Sequence, residues 1–180
     1  GLLHRHGASH VTLVPTPIAA AIGAGLDPSS DYAQMIVDIG DGFTDYAVIR
    51  SGKVQTSRRL EFGCGNLREI YFETAPNRES DLFRWWNRSS AVEERDEALS
   101  APDEPFSLLA ETLLDFFRNL PDRMACEVIE NGVLLVGGGA LLRGVRGRLS
   151  ARTGFLVRVP SNPLTATIEG AAQMLPYLPS

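Results

Sequence analysis

The chain has 180 residues, 44% of them hydrophobic and 22% charged, enough length and apolar content for one domain, or one domain with a small appendage, with its own core, so its size does not argue for disorder. Its formal charge of −5 disfavours a sequence-independent grip on nucleic acid. The two cysteines, Cys64 and Cys126, lack the number and spacing of a disulfide framework or a zinc site and read as small hydrophobes in a reducing cytoplasm, and no apolar run approaches the roughly 20 residues of a membrane-spanning helix.

The first residue is glycine, no charged-then-apolar leader follows, and Leu2 to His10 reads as the tail of a helix ended at Gly7, so a fragment of a longer protein is expected. His4, His6 and His10 carry no helix or strand pattern that would make them metal ligands. Val11 to Val14 is β-branched and closed by Pro15 and Pro17, which predicts a strand that stops abruptly, followed by an alanine-rich helix over Ile18 to Ile22 that Gly23 and Gly25 end. Asp27 to Asp31 is a surface turn. Met35 to Asp38, Tyr46 to Arg50 and Lys53 to Phe62 then form a three-stranded meander, with turns at the glycines after Asp38 and at Ser51-Gly52.

Asn66 to Phe72 is helix-like, whereas Glu73 to Asp103 carries Trp85 and Trp86 among dense charges with no period of 2 or 3.6. The tryptophans fit a partner-facing patch or a small local core equally well. Pro105 starts a helix on which Phe106, Leu109, Leu113, Phe116 and Phe117 fall near helical spacing, and Leu120-Pro121 stops it. Val133 to Val136 is a buried-type strand, Leu141 to Ser150 a helix whose Arg143, Arg146 and Arg148 form a solvated face, Phe155 to Val159 a strand and Ile168 to Leu175 a last helix. Strands and helices alternate, so the class is α/β, a sheet with flanking helices.

Two glycine-rich segments could carry chemistry. Asp38-Ile39-Gly40-Asp41-Gly42-Phe43-Thr44 is a tight turn between strands, where backbone N–H groups can face phosphate oxygens, the Thr44 hydroxyl adds a donor, and Asp38 and Asp41 can hold a hydrated magnesium ion. The plainer alternative is a hairpin whose aspartates satisfy backbone amides. Gly137-Gly138-Gly139-Ala140 follows an apolar strand and precedes a helix, an order that lets an anion lie at a helix N-terminus, although close strand-to-helix packing would also call for glycine. Together the two segments point to a nucleotide held between two loops at one edge of a sheet.

These residues resemble the superfamily of actin, heat-shock chaperones and sugar kinases, and within it the bacterial MreB family. Leu13 to Gly25 looks like the segment that opens the second MreB domain, Asp38 to Thr44 like its second phosphate loop, Val136 to Gly144 like its adenosine loop, and Asn162 to Ala172 like its C-terminal segment. The resemblance implies a ribonuclease-H-like, actin-type ATPase domain with a mixed sheet and flanking helices. It implies ATP or GTP with magnesium as cofactor, with Asp38 and Asp41 near the metal through water. Gly40, Asp41, Gly42, Phe43, Thr44, Gly63, Gly137, Gly138, Gly139, Ala140 and Leu141 would surround the nucleotide. Residues 1–72 and 105–180 would form the core of the subdomain IIA type, and 73–104 a shortened insert in place of subdomain IIB.

Departures matter as much. The family's water-positioning glutamate or glutamine corresponds to Thr16, whose hydroxyl cannot act as a comparable base at neutral pH, so weak or absent hydrolysis is expected. Position 41 is usually glycine in MreB proteins but aspartate in actins, and the family's Gly-Gly-Asp-like turn reads Gly63-Cys64-Gly65 here, without its carboxylate. The base-binding helix of the insert and the whole first domain are expected to be missing, so nucleotide binding by the isolated chain would be weak or absent. Implied partners are a second copy, another actin-like protein or a chain supplying the first domain, with no nucleic acid and only indirect membrane contact. The alternative is a non-catalytic actin-fold module acting as a protein–protein interaction domain.

Overall fold

The computed structural model describes residues 5–7, 9–67, 69, 104–142 and 144–177. Five strands form one sheet in the order β3-β2-β1-β4-β5. β1 (Gln34–Ile39), β2 (Thr44–Arg50) and β3 (Lys53–Leu60) are the expected meander, paired antiparallel. β4 (Val133–Val136) lies parallel to β1, and β5 (Val157–Arg158) parallel to β4. β1 and β4 are central, hence buried on both faces and almost continuously apolar. β3 is an edge strand whose exposed Lys53, Arg58 and Arg59 discourage pairing with another chain.

Helices cover both faces. Met35, Val37, Ile39, Val133 and Leu135 face a large core under α2 (Glu104–Arg118), α3 (Asp122–Asn131) and α4 (Val145–Thr153). Phe106, Leu109, Leu113 and Phe116 are the buried stripe of α2, as their spacing predicts. On the opposite face Ile36, Ile49, Leu134 and Val136 pack under α1 (Thr16–Gly23) and α5 (Ala166–Met174). These two helices cross in contact: a Cβ on Gly23 would collide with the Ala166 carbonyl, and one on Gly170 with the Ala19 carbonyl. Small residues at the crossing let two short helices press flat on the sheet.

Several expectations need correction. Residues 10–15 form no strand and join none of the five; Val11 and Leu13 are exposed, since a β-prone sequence becomes a strand only where a ladder partner lies alongside. α3 follows Pro121 directly, in a stretch that the sequence reading left unassigned. The helix expected over Leu141 to Ser150 starts later, because Gly138–Leu141 is a 3₁₀ turn and Gly144 adopts a left-handed φ of 77° before α4 begins at Val145. Within α4, Arg148 is half-buried with its guanidinium 4.7 Å from the centre of the Phe106 ring, rather than simply solvated. Cys64 is buried, but Cys126 is exposed. Asn66 to Phe72 is helical at 66, 67 and 69 where described, the helical stretch starting at Cys64. Residues 73–103, with Trp85 and Trp86, and Arg143 lie outside the described residues.

α3 is anchored by a carboxylate. Glu127 is 7% exposed; it accepts the Ala33 N–H at 2.7 Å and the Arg123 Nε–H at 3.1 Å, and Arg50 lies at 3.6 Å. The amide of Ala33, just before β1, thereby finds its acceptor on a helix instead of a strand.

Candidate functional site

The site is set by sheet topology. β1 and β4 are adjacent and parallel, yet the chain leaves β1 toward β2 on one side and leaves β4 toward β5 on the other. Beyond the carboxyl ends of such a pair the two exits diverge and leave a crevice, the usual ligand position in open α/β sheets. Both glycine-rich segments lie at these ends, one after Ile39 and the other after Val136.

The Gly40 N–H donates to the Phe43 carbonyl at 2.9 Å, which closes the turn and leaves Asp41, Gly42 and Phe43 exposed. A Cβ on Gly42 would meet no atom within 4 Å, so open space adjoins the turn there. Its other flank is docked on the turn after β3. Cys64 N–H donates to the Gly40 carbonyl at 2.9 Å and Gly65 N–H to the Asp41 carbonyl at 2.7 Å. Gly63 permits this approach, since a Cβ there would stand 2.5 Å from the Asp41 carbonyl oxygen, and its own N–H is committed to Asn66 Oδ1 at 3.0 Å.

Thr44 is fully buried, and its hydroxyl donates to the Phe62 carbonyl at 2.8 Å. Its proton thus stays within the protein and braces the turn, in contrast to the donor role expected from sequence.

Asp38 is half-buried at the end of β1. Burial foremost, then the nearby Asp45 carboxylate, holds its pKa above the usual carboxylate range, while the Thr167 hydroxyl on α5 acts in the opposite direction. Gly137, with φ of 83°, lies so close that a Cβ would overlap Asp38 Oδ1, and its N–H donates to the Pro163 carbonyl at 2.9 Å. A Cβ on Gly139 would overlap Ile39 and stand 3.0 Å from Cys64 Sγ. Gly137 and Gly139 are therefore required by internal packing, whatever else the segment does. Gly138 and Leu141 are half-buried and Ala140 is buried, and an α-helix N-terminus does not directly follow them. The structure brings Asp38, Gly40 to Thr44, Gly63, Gly137 and Gly139 together; Thr16 is the exposed first residue of α1.

The family model described as MreB/Mbl protein matches residues 2–72 and 80–179. The chain belongs to the MreB/Mbl family. It is similar to the cell shape-determining protein MreB of Escherichia coli (strain K12), with 30% identity over 200 residues that cover 94% of this chain and 58% of that protein. It also resembles the cell shape-determining protein Mbl of Bacillus subtilis (strain 168), with 28% identity, 95% of this chain and 61% of that protein. The crystal structure of MreB5 of Spiroplasma citri bound to ADP superposes with a TM-score of 0.82 at 22% identity, covering 98% of this chain and 63% of that chain. The chain thus spans about three fifths of the length of the relatives it matches. The fold is the actin-type mixed sheet with flanking helices.

Against the MreB pattern, the turn after β3 does not lack a neighbouring carboxylate. The Asp41 oxygens would lie 3.5 and 3.6 Å from a Cβ placed on Gly65, so position 41 supplies an acidic group over the position where the sequence reading found one missing. Sequence reasoning also missed Asp45 and Arg59. The register pairs Asp38 with Asp45 and Asp45 with Arg59 across β1, β2 and β3, and directly paired antiparallel residues share a face. Counting outward from the turn would have paired the two aspartates, provided the last residue of β1 was known.

Among the described residues no group of three or more histidine, cysteine, aspartate or glutamate side chains could cage a metal ion, and no helix is long and apolar enough to cross a membrane. The acidic groups suit a hard cation such as magnesium, which keeps most of its waters and takes one or two carboxylates together with phosphate oxygens.

Proposed function

We propose that this chain is the second, nucleotide-gripping half of an MreB-type actin-like ATPase, holding magnesium with ATP or GTP in the crevice beyond β1 and β4. The observation that carries this reading is the meeting of an open, glycine-bearing turn, a half-buried aspartate and the Gly137 to Leu141 segment at the one point where the chain exits from adjacent parallel strands diverge. Asp38 and Asp41 would hold the magnesium through water, and the metal would neutralise phosphate charge beside three aspartates. Gly40, Gly42 and the N–H groups around them would approach the phosphates, Gly138, Ala140 and Leu141 would face the nucleoside, and Thr44 and Gly63 would hold the turn in shape. MreB5 of Spiroplasma citri has been crystallised with ADP and with AMPPNP, which supports a nucleotide as ligand.

Thr16 stands where the family places its water-positioning residue, so hydrolysis is weak or absent even when the cleft is complete. The chain works in the cytoplasm on cell shape, as part of a filament of copies or with a chain that supplies the first domain, and reaches membranes only indirectly. Calorimetry with magnesium-ATP tests the reading: weak binding, submillimolar to millimolar, that Asp38→Ala abolishes is expected, and binding indifferent to Asp38→Ala would overturn it.

A second reading, a non-catalytic module that binds proteins, is favoured by exposed apolar side chains on and beside α5, Leu164 at 59%, Ile168 at 68% and Tyr177 at 87%. Capture of a protein partner with no nucleotide binding up to millimolar concentration would select it.

A further inference from the structure

Beside the 40–43 turn stands a charged row in which the nucleotide reading gives Arg59 no part. Arg59 Nε donates to Asp45 Oδ1 at 2.7 Å and its terminal N–H to Oδ2 at 2.8 Å, a two-bond fork between paired residues of β2 and β3. The same guanidinium carbon lies 3.8 Å from the centre of the ring of Phe43, the residue that closes the turn. Asp45 in turn faces Asp38 across the β1–β2 pair. One cation therefore touches both the aromatic residue that closes the turn and the second carboxylate of the row.

Electrostatics gives this arrangement a purpose. Without Arg59, two carboxylates on neighbouring strands would face each other beside a bound anion, and their repulsion would add to that of the phosphates. With Arg59 in place, Asp45 is neutralised by a fork that also fixes its orientation, and Phe43 is held by its ring. Lysine could supply the charge but neither the fork nor the flat stacking surface.

We propose that Arg59 is a positioning residue for an anionic ligand at the 40–43 turn: paired with Asp45 and stacked on Phe43, it cancels the second carboxylate of the row and fixes the turn, leaving Asp38 to face the ligand's cation. The inference rests on the reading of this crevice as a phosphate site. Arg59 itself remains on the β3 edge, more than half exposed, so its replacement leaves the core intact.

Two readouts on the full chain test it, magnesium-ADP affinity by calorimetry and amide hydrogen exchange at Gly40. Arg59→Leu is expected to weaken magnesium-ADP by about threefold to fivefold and to speed Gly40 exchange by a similar factor, within the range of exposed ion pairs. Adding Asp45→Asn to Arg59→Leu is expected to return the magnesium-ADP affinity to within about twofold of wild type while Gly40 exchange stays fast, and Arg59→Lys to fall between wild type and Arg59→Leu in both. A merely structural salt bridge predicts no such rescue, so a double variant as impaired in affinity as Arg59→Leu, or a Gly40 exchange rate unmoved by Arg59→Leu, overturns the inference. If wild type binds no magnesium-ADP while the exchange pattern appears as expected, the nucleotide reading fails and the hold of Arg59 on the turn stands.

Discussion

Replacing Glu127 by glutamine should destabilise the fold at neutral pH and leave it nearly unchanged in acid. The glutamine amide keeps the shape and can still accept the Ala33 N–H through its oxygen, so the substitution removes the charge and the second acceptor oxygen, the one that Arg123 reaches. What is lost is the charge assistance to the 2.7 Å bond from Ala33 and the attraction of two arginines, at 3.1 Å and 3.6 Å. Arg123 is 76% exposed and adds only tenths of a kcal/mol, whereas the buried amide bond to a carboxylate is the stronger type, so the loss should total about 1–2 kcal/mol. The Ala33 amide foremost, with lesser help from Arg123 and Arg50, holds the Glu127 carboxyl below its ordinary value of 4.5 against the opposing push of burial. A carboxylate depressed in the folded state stabilises above the unfolded value and loses that stabilisation as pH falls through the folded one. The gap between wild type and Glu127→Gln in urea titrations should therefore be full at pH 7 and close below about pH 4. Equal stabilities at pH 7, or a gap that widens in acid, would mean that the Glu127 charge does not hold α3 to the sheet.

Gly170→Ala pushes a methyl group into the Ala19 carbonyl at the α1–α5 crossing and should cost about 1–3 kcal/mol or more in thermal or urea unfolding; a neutral result would mean that the helices separate freely. Thr44→Val removes the donor to the Phe62 carbonyl and should lower stability by about 1 kcal/mol while changing magnesium-ADP affinity less than twofold, and Thr44→Ser should keep the bond; a large affinity loss in Thr44→Val alone would make the hydroxyl a ligand group. If Asp41 stands in for the turn carboxylate absent at Gly65, then Asp41→Gly weakens magnesium-nucleotide binding and the exchange Asp41→Gly with Gly65→Asp restores most of it in calorimetry. A double variant no better than Asp41→Gly would sink that idea.

The meander was legible because its turns announce themselves: glycines after Asp38, Ser51-Gly52, and β-prone runs between. α2 was legible from the spacing of Phe106, Leu109, Leu113 and Phe116. α3 was not, because its most buried positions include Glu127, an acidic residue that breaks the apolar stripe and satisfies a backbone amide outside its own helix. The start of α4 was misread because glycine at 144 permits a left-handed turn that local apolar pattern does not record. At the site, Asp38 and both glycine segments stood out by type and order, which is what close backbone approach demands. Asp45, Arg59 and the inward turn of the Thr44 hydroxyl depend on strand register, and register is fixed only once the whole sheet has formed. The unpaired segment at 10–15 shows the converse, strand-forming residues with no neighbouring ladder.

Whether nucleotide binds beyond β1 and β4 is decided by titrating the isotope-labelled chain with magnesium-ADP and following its amide resonances. Signals of Gly40 to Thr44 and Gly137 to Leu141 should move together with one dissociation constant, and omission of magnesium should leave them nearly still. Shifts clustered elsewhere, or none at millimolar nucleotide, would contradict a nucleotide site beyond β1 and β4.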